Sequence, residues 1–292
     1  MLSRELLKKI RRIHLKIARL STDILSGHYT SSFKGTGIEF DEVREYVPGD
    51  DVRSIDWNVT ARSGAPYVKR YAEERELTII LMVDLSGSQR FGTANALKSE
   101  LAAEIAALFA YLAIKNNDQV GLLLFSGTCE KYLPPQKGRA HVLRVIREIL
   151  GYCPRSAGTD LGQALDFIHR VTNKRSIVFL ISDFLDAGYE SSMRRLSKRH
   201  DLVAVRITDP RERELPSVGL VELEDNETGA RILLDTSSPA VRERIINAAA
   251  ERDASHARIL SSCKIDAIEI STDRPYLEAL RRFFAKRERK TR

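Results

Sequence analysis

Cysteine is scarce in this chain of 292 residues: Cys129, Cys153 and Cys263 are its only three. An odd, widely spaced set without a CxxC pair excludes a disulfide framework and a thiolate zinc site. A reducing cytoplasm is the simplest compartment for it. Long apolar runs are missing too. The best, residues 77–83, has seven residues, against the ~20 needed to cross a bilayer as a helix. The Ala-rich stretch 101–114 is interrupted by Glu104. The first residues are charged and lack a continuous apolar stretch, so no secretory signal is expected there. Catalytic signatures are equally absent. There is no GxxxxGK[ST] and no HExxH. There is no GxSxG either: Ser86 sits in Asp-Leu-Ser-Gly-Ser and Ser126 in Leu-Phe-Ser-Gly-Thr. The six histidines, His14, His28, His141, His169, His200 and His256, are scattered without metal-ligand spacing. Internal repeats and low-complexity segments are lacking, and 43% hydrophobic with 30% charged residues excludes disorder as the dominant state.

What is present is unevenly distributed. The net charge is +7, yet residues 1–36 and residues 274–292 each carry +6, which leaves the body at −5. An electrostatic partner, if any, would meet the two ends. Leu2, Leu6, Ile10, Ile13, Ile17, Leu20 and Ile24 follow one another at intervals of three and four. That spacing predicts an amphipathic helix with Lys8, Lys9, Arg11, Arg12, Lys16 and Arg19 mainly off its apolar stripe. It is either packed on its own protein or a surface for a membrane, a nucleic acid or a partner. Gly, Ser and Thr in 26–37 suggest a linker. The organisation expected is therefore a basic helix and linker over 1–32 and a charged, aromatic segment over 33–76. An α/β domain over 77–285 and a frayed basic tail over 286–292 complete it.

From residue 77 onward the pattern is regular. Apolar runs at 77–83, 119–125, 176–182, 202–207 and 265–270 read as strands, with a short edge strand at 131–133. Helices are predicted over 94–116, 140–150, 161–172, 189–198, 239–260 and 275–285. A β-hairpin is predicted near 218–234 around the turn 225–229. Strands that are nearly all apolar, alternating with helices, predict a doubly wound, mostly parallel sheet with helices on both faces.

In such a sheet, ligands bind at the carboxyl ends of the strands. Asp84, Ser86 and Ser88 follow the first strand, and Asp183 follows the strand 176–182. Thr159 opens the helix at 161. Two carboxylates and three hydroxyls form a hard-oxygen set suited to Mg²⁺ or Mn²⁺. Taken singly, each of these residues reads as a cap or turn residue.

Together, Asp84-x-Ser86-x-Ser88, Thr159 and Asp183 resemble the metal-ion-dependent adhesion site of von Willebrand factor A-type domains. The resemblance implies Ser86, Ser88 and Thr159 close to the metal and Asp84 and Asp183 acting largely through water. It also implies one position open to a partner's carboxylate. The stretch 39–62, the run 209–220, the ETG at 227–229 and the closing 271–284 are similar to the bacterial family called domain of unknown function 58. Asp50, Asp51, Arg53, Asp56 and Trp57 are the most specific part of that similarity. Many members of the family begin with two membrane helices, which this chain lacks. They are typically encoded beside MoxR-type AAA+ ATPases.

The segment 39–62 also has a plain physical reading. Arg44, Arg53 and Arg62 can pair with Asp50, Asp51 and Asp56 to pin an irregular segment, with Trp57 anchored in an apolar notch. The other reading makes Asp50, Asp51, Arg53, Asp56, Trp57 and Arg62 a partner surface. The function expected is a non-enzymatic, metal-dependent interaction module. It would serve as an adaptor to a MoxR-type AAA+ ATPase or a carboxylate-bearing client, in the cytoplasm or at the membrane periphery. The alternatives are a nucleic-acid or anionic-membrane binder acting through the basic ends, or a Mg²⁺-dependent hydrolase.

Overall fold

The computed structural model describes Tyr29, Phe33 and residues 39–72, 76–94 and 96–291, with the backbone alone for 39–42, 69–72 and 291. The amphipathic helix expected over 2–24 and most of the expected linker lie outside the described residues. The chain divides into two compact units, residues 33–77 and the remainder.

The smaller unit is more regular than its composition announced. Strand β1 (Glu39–Glu45) pairs antiparallel with β2 (Tyr67–Ala72), with a bulge between Phe40 and Glu42. Between them lie a 3-10 turn (Val52–Ser54) and helix α1 (Trp57–Ser63). Asp56 starts α1 by accepting the N–H groups of Asn58 and Val59 at 2.9 and 3.3 Å, and Gly64 ends it at φ 74°. A left-handed residue closing a helix is the position glycine fills without strain.

The larger unit runs β3 (Thr78–Asp84), α2 (Lys98–Lys115), β4 (Gln119–Phe125), β5 (Cys129–Gln136), α3 (Arg139–Gly151) and α4 (Leu161–Val171). It continues through β6 (Ile177–Ser182), α5 (Glu190–Arg199), β7 (Asp201–Thr208), β8 (Leu220–Glu224), β9 (Arg231–Asp235), α6 (Pro239–Cys263), β10 (Asp266–Ser271) and α7 (Tyr276–Thr291). The sheet order is β10-β7-β6-β3-β4-β5, and only β5 is antiparallel to its neighbour. Successive strands progress outward from β3 to one side and then, after β5, from β6 to the other. The β3/β6 boundary is thus the topological switch point, where ligands bind in open α/β sheets.

Both faces of the sheet are covered. Because side chains alternate along a strand, Ile80, Met82, Val178 and Leu180 pack on Leu161, Leu165 and Ile168 of α4 and on Met193 and Leu196 of α5. On the opposite face Phe179 stacks on Phe109 of α2, ring centres 4.0 Å apart. β8 and β9 form a separate two-stranded hairpin.

Two local expectations change. The tail does not fray at Lys286: α7 runs to Thr291, with Arg287 paired to Asp201 and Lys290 to Asp266 at 2.5 Å. Inside the expected linker, Tyr29 is buried. Its hydroxyl donates to Asp118 Oδ2 at 3.1 Å, and its ring meets Phe284 edge-on at 6.3 Å.

Candidate functional site

The register of β3 against β6 sets the site. Val83 lies opposite Ile181, so Asp84 and Ser182 are neighbours at the strand ends, and Ser182 Oγ donates to Asp84 Oδ2 at 2.6 Å. Asp84 Oδ1 accepts Ser86 N–H at 2.8 Å, which folds the loop back over the strand. Ser86 Oγ and Ser88 Oγ then stand 3.0 Å apart. Gly87 N–H donates to Ala157 O at 2.7 Å, which ties this loop to the one carrying Thr159. Asp183 follows Ser182 directly, and the chain turns sharply after it: Phe184 is buried at φ 59°. A bulky side chain held there costs about 1–3 kcal/mol, a strain that is common beside functional sites. All five residues of the predicted site are therefore brought to one end of the sheet.

The charges are tightly enclosed. Asp84 and Asp183 are fully buried. Burial first, and the nearby Asp183 carboxylate second, push the Asp84 pKa up, against the bonds from Ser182 and Ser86. Lys98 at the start of α2 is also fully buried. Its Nζ donates to Asp183 Oδ2 at 2.6 Å and to Glu212 Oε1. Burial works against the ammonium, but Asp183 and Glu212 more than offset it and raise its pKa. Glu212 is held by a capping box in which its Oε2 accepts Asp209 N–H at 3.0 Å. Asp209 in turn accepts from Thr93 N–H and Oγ1, Thr272 Oγ1 and Arg211 N–H. The last component comes from the hairpin turn, where Glu227 Oε1 accepts Thr159 Oγ1 at 2.7 Å.

The donor set fits a hard divalent cation. Among the described residues no three His, Cys, Asp or Glu side chains are grouped so as to hold a metal ion, so a cation here would need the hydroxyls as ligands. Adjacent corners of a Mg²⁺ octahedron lie about 2.9 Å apart, and the Ser86 and Ser88 oxygens have that spacing. Lys98 is bonded to Asp183 and Glu212, whereas Asp84 and Glu227 accept from hydroxyl and N–H donors.

A family model described as "Protein of unknown function DUF58" matches residues 42–255. The chain belongs to the DUF58 family. A relative at 35% identity is the uncharacterized protein Mb1516 of Mycobacterium bovis, over 96% of this chain and 89% of that protein. Solved structures similar to this DUF58 chain include BatB from Bacteroides thetaiotaomicron, with TM-score 0.46 and 16% identity over 73% of this chain and 99% of that one. Another is a von Willebrand factor type A protein from Catenulispora acidiphila, with TM-score 0.37 and 12% identity over 49% and 35%.

The DUF58 signature in the smaller unit is built differently from the pinned segment expected. Arg44 and Asp50 form a two-bonded pair at 2.7 and 2.8 Å. Asp51 and Asp56 accept backbone N–H groups, as caps of the 3-10 turn and of α1. Arg53 and Arg62 are exposed. Trp57 is 69% exposed, so no apolar notch holds it. Sequence reasoning also missed Lys98 and the roles of Glu212 and Glu227. Both glutamates lie in stretches similar to the family, 209–220 and 227–229, and that similarity was the available signal. Lys98 carried none.

Proposed function

We propose that the protein is a metal-dependent protein-interaction module. Asp84, Ser86, Ser88, Thr159 and Asp183 would hold Mg²⁺ or Mn²⁺ at the switch point and offer it to the carboxylate of a partner. The observation that carries this reading is the pair of serine hydroxyls 3.0 Å apart above the buried Asp84. A bound ion supplies the positive charge that lets a third carboxylate approach two others. The chain's own residues do the rest. Ser182 and the Ser86 amide orient Asp84, and Lys98 fixes Asp183. The strained turn at Phe184 follows Asp183 directly and keeps it at the end of β6. A MoxR-type AAA+ ATPase, or a client it remodels, is the partner the family resemblance suggests. The exposed Trp57, with Val47 and Val52 at 56% and 62% exposure, supports a second contact surface on the smaller unit.

Titration calorimetry with Mg²⁺ and Mn²⁺ tests the site. Wild type should bind one ion per chain, and Ser86→Ala should bind markedly more weakly. Equal binding by both would place the metal elsewhere. Recovery of a MoxR-type ATPase in a pull-down should be lost in EDTA. Undiminished recovery in EDTA would move docking to the surface around Trp57.

A further inference from the structure

The hairpin of β8 and β9 belongs to no other sheet, yet its tip lies against the metal loop. Asn226 O sits where a Cβ on Gly87 would be 2.3 Å away, so only glycine admits the tip there. Glu227 then accepts the Thr159 hydroxyl at 2.7 Å. The turn that presents Glu227 is fixed from within: Asp225 accepts Glu227 N–H at 2.9 Å and Thr228 Oγ1 at 2.6 Å. At the hairpin base Thr236 Oγ1 donates to Gly219 O at 2.7 Å and accepts Val218 N–H at 3.0 Å. The arm is therefore a stiff tip on a narrow base. A two-stranded hairpin alone is marginally stable, so its position depends on what the tip touches.

We propose that Glu227 is a carboxylate ligand supplied by the chain itself. It occupies the position a partner's carboxylate would take, which makes the hairpin tip a displaceable cover of the site. The inference rests on the metal-site reading above. It accounts for a half-buried glutamate joined to one of the five site residues from a turn 68 positions away. It also accounts for the glycine at 87. A carboxylate-bearing partner must then lift the tip before it binds, so the arm sets a threshold for docking.

The test uses the full chain and the metal alone. Mg²⁺ affinity is measured by calorimetry for wild type, Glu227→Ala, the hairpin control Glu222→Gln and Ser86→Ala. Amide exchange of residues 225–229 is followed with and without saturating Mg²⁺. Glu227→Ala should bind Mg²⁺ about tenfold more weakly, the scale of losing one supporting group at a metal site. Added acetate should restore part of that loss and leave wild type unchanged. Mg²⁺ should slow exchange at 225–229 in wild type and not in Glu227→Ala, while Glu222→Gln behaves as wild type. Equal Mg²⁺ affinity in wild type and Glu227→Ala, with exchange at the tip indifferent to Mg²⁺, would overturn the inference and leave the metal site standing. Absence of Mg²⁺ binding in wild type would overturn both.

Discussion

Replacing Lys98 by methionine removes the buried ammonium that bonds Asp183 and Glu212 while keeping most of the side chain's volume. Lys98 and Asp183 are 0% and 1% exposed, and Glu212 is 18% exposed. The variant therefore strands two carboxylates rather than one solvated surface pair. Exposed pairs are worth about 0–1 kcal/mol. Breaking a buried pair by deleting one partner costs about 3–5 kcal/mol. Lys98→Met should fall in the second class, near 4 kcal/mol at pH 7, because Asp183 has no water to turn to. For a chain of this size that corresponds to a fall in melting temperature of roughly 8–16 °C. The sign with pH follows from the raised Lys98 pKa. The pair's contribution is complete below the ordinary lysine value and is lost only as the pH climbs through the folded one. The deficit of the variant should accordingly persist up to pH 9, below the range in which Lys98 loses its proton. Urea unfolding monitored by circular dichroism, at several pH values in EDTA, measures it. A cost under about 1 kcal/mol would refute the reasoning and show that Asp183 and Glu212 find other partners or water.

Trp57→Ala should change stability by less than about 0.5 kcal/mol, as for other exposed positions. Its emission in the native protein should be that of a solvated indole; a blue-shifted maximum would contradict the exposed placement. His200 and His256 are buried, and burial first, with Arg199 and His169 or with Arg206, lowers their pKa values to about 4. The unfolded chain binds their protons nearer pH 6.5, so stability is full above that value and falls as the pH drops toward 4, by up to about 3 kcal/mol for each. A His200→Phe, His256→Phe double variant should therefore lose less stability than wild type between pH 7 and 4.5, and equal losses in urea midpoint would refute this.

The central strands were legible because their burial is written locally. Residues 119–125 are nearly all apolar and became β4 at those bounds. The edge strand was harder. Pro134 and Pro135 argue against a strand interior, and residues 131–133 alone were expected. β5 nevertheless spans Cys129–Gln136, because an edge strand tolerates residues that cannot donate on its open side. That Asp84, Ser86, Ser88 and Asp183 lie at one end of the sheet was legible, since loops after parallel strands converge by topology. The partners that hold them were not. Lys98 meets residues 85 and 114 positions away, and no local period announces such a contact. Trp57 misled in the opposite direction: an aromatic is usually buried, but here it opens a helix flanked by solvated caps. The basic tail looked like a free end because Asp201 and Asp266, which anchor Arg287, are remote in sequence.

The clasp between Tyr29 and Asp118 gives the larger unit a front and a back. Asp118 immediately precedes β4, whereas the oxygen cluster lies where β3 and β6 finish. Seven residues of β4 put about 20 Å between those ends. A pull on Tyr29 would load the start of β4 at Asp118 and the middle of α7 at Phe284 before it strained the switch point.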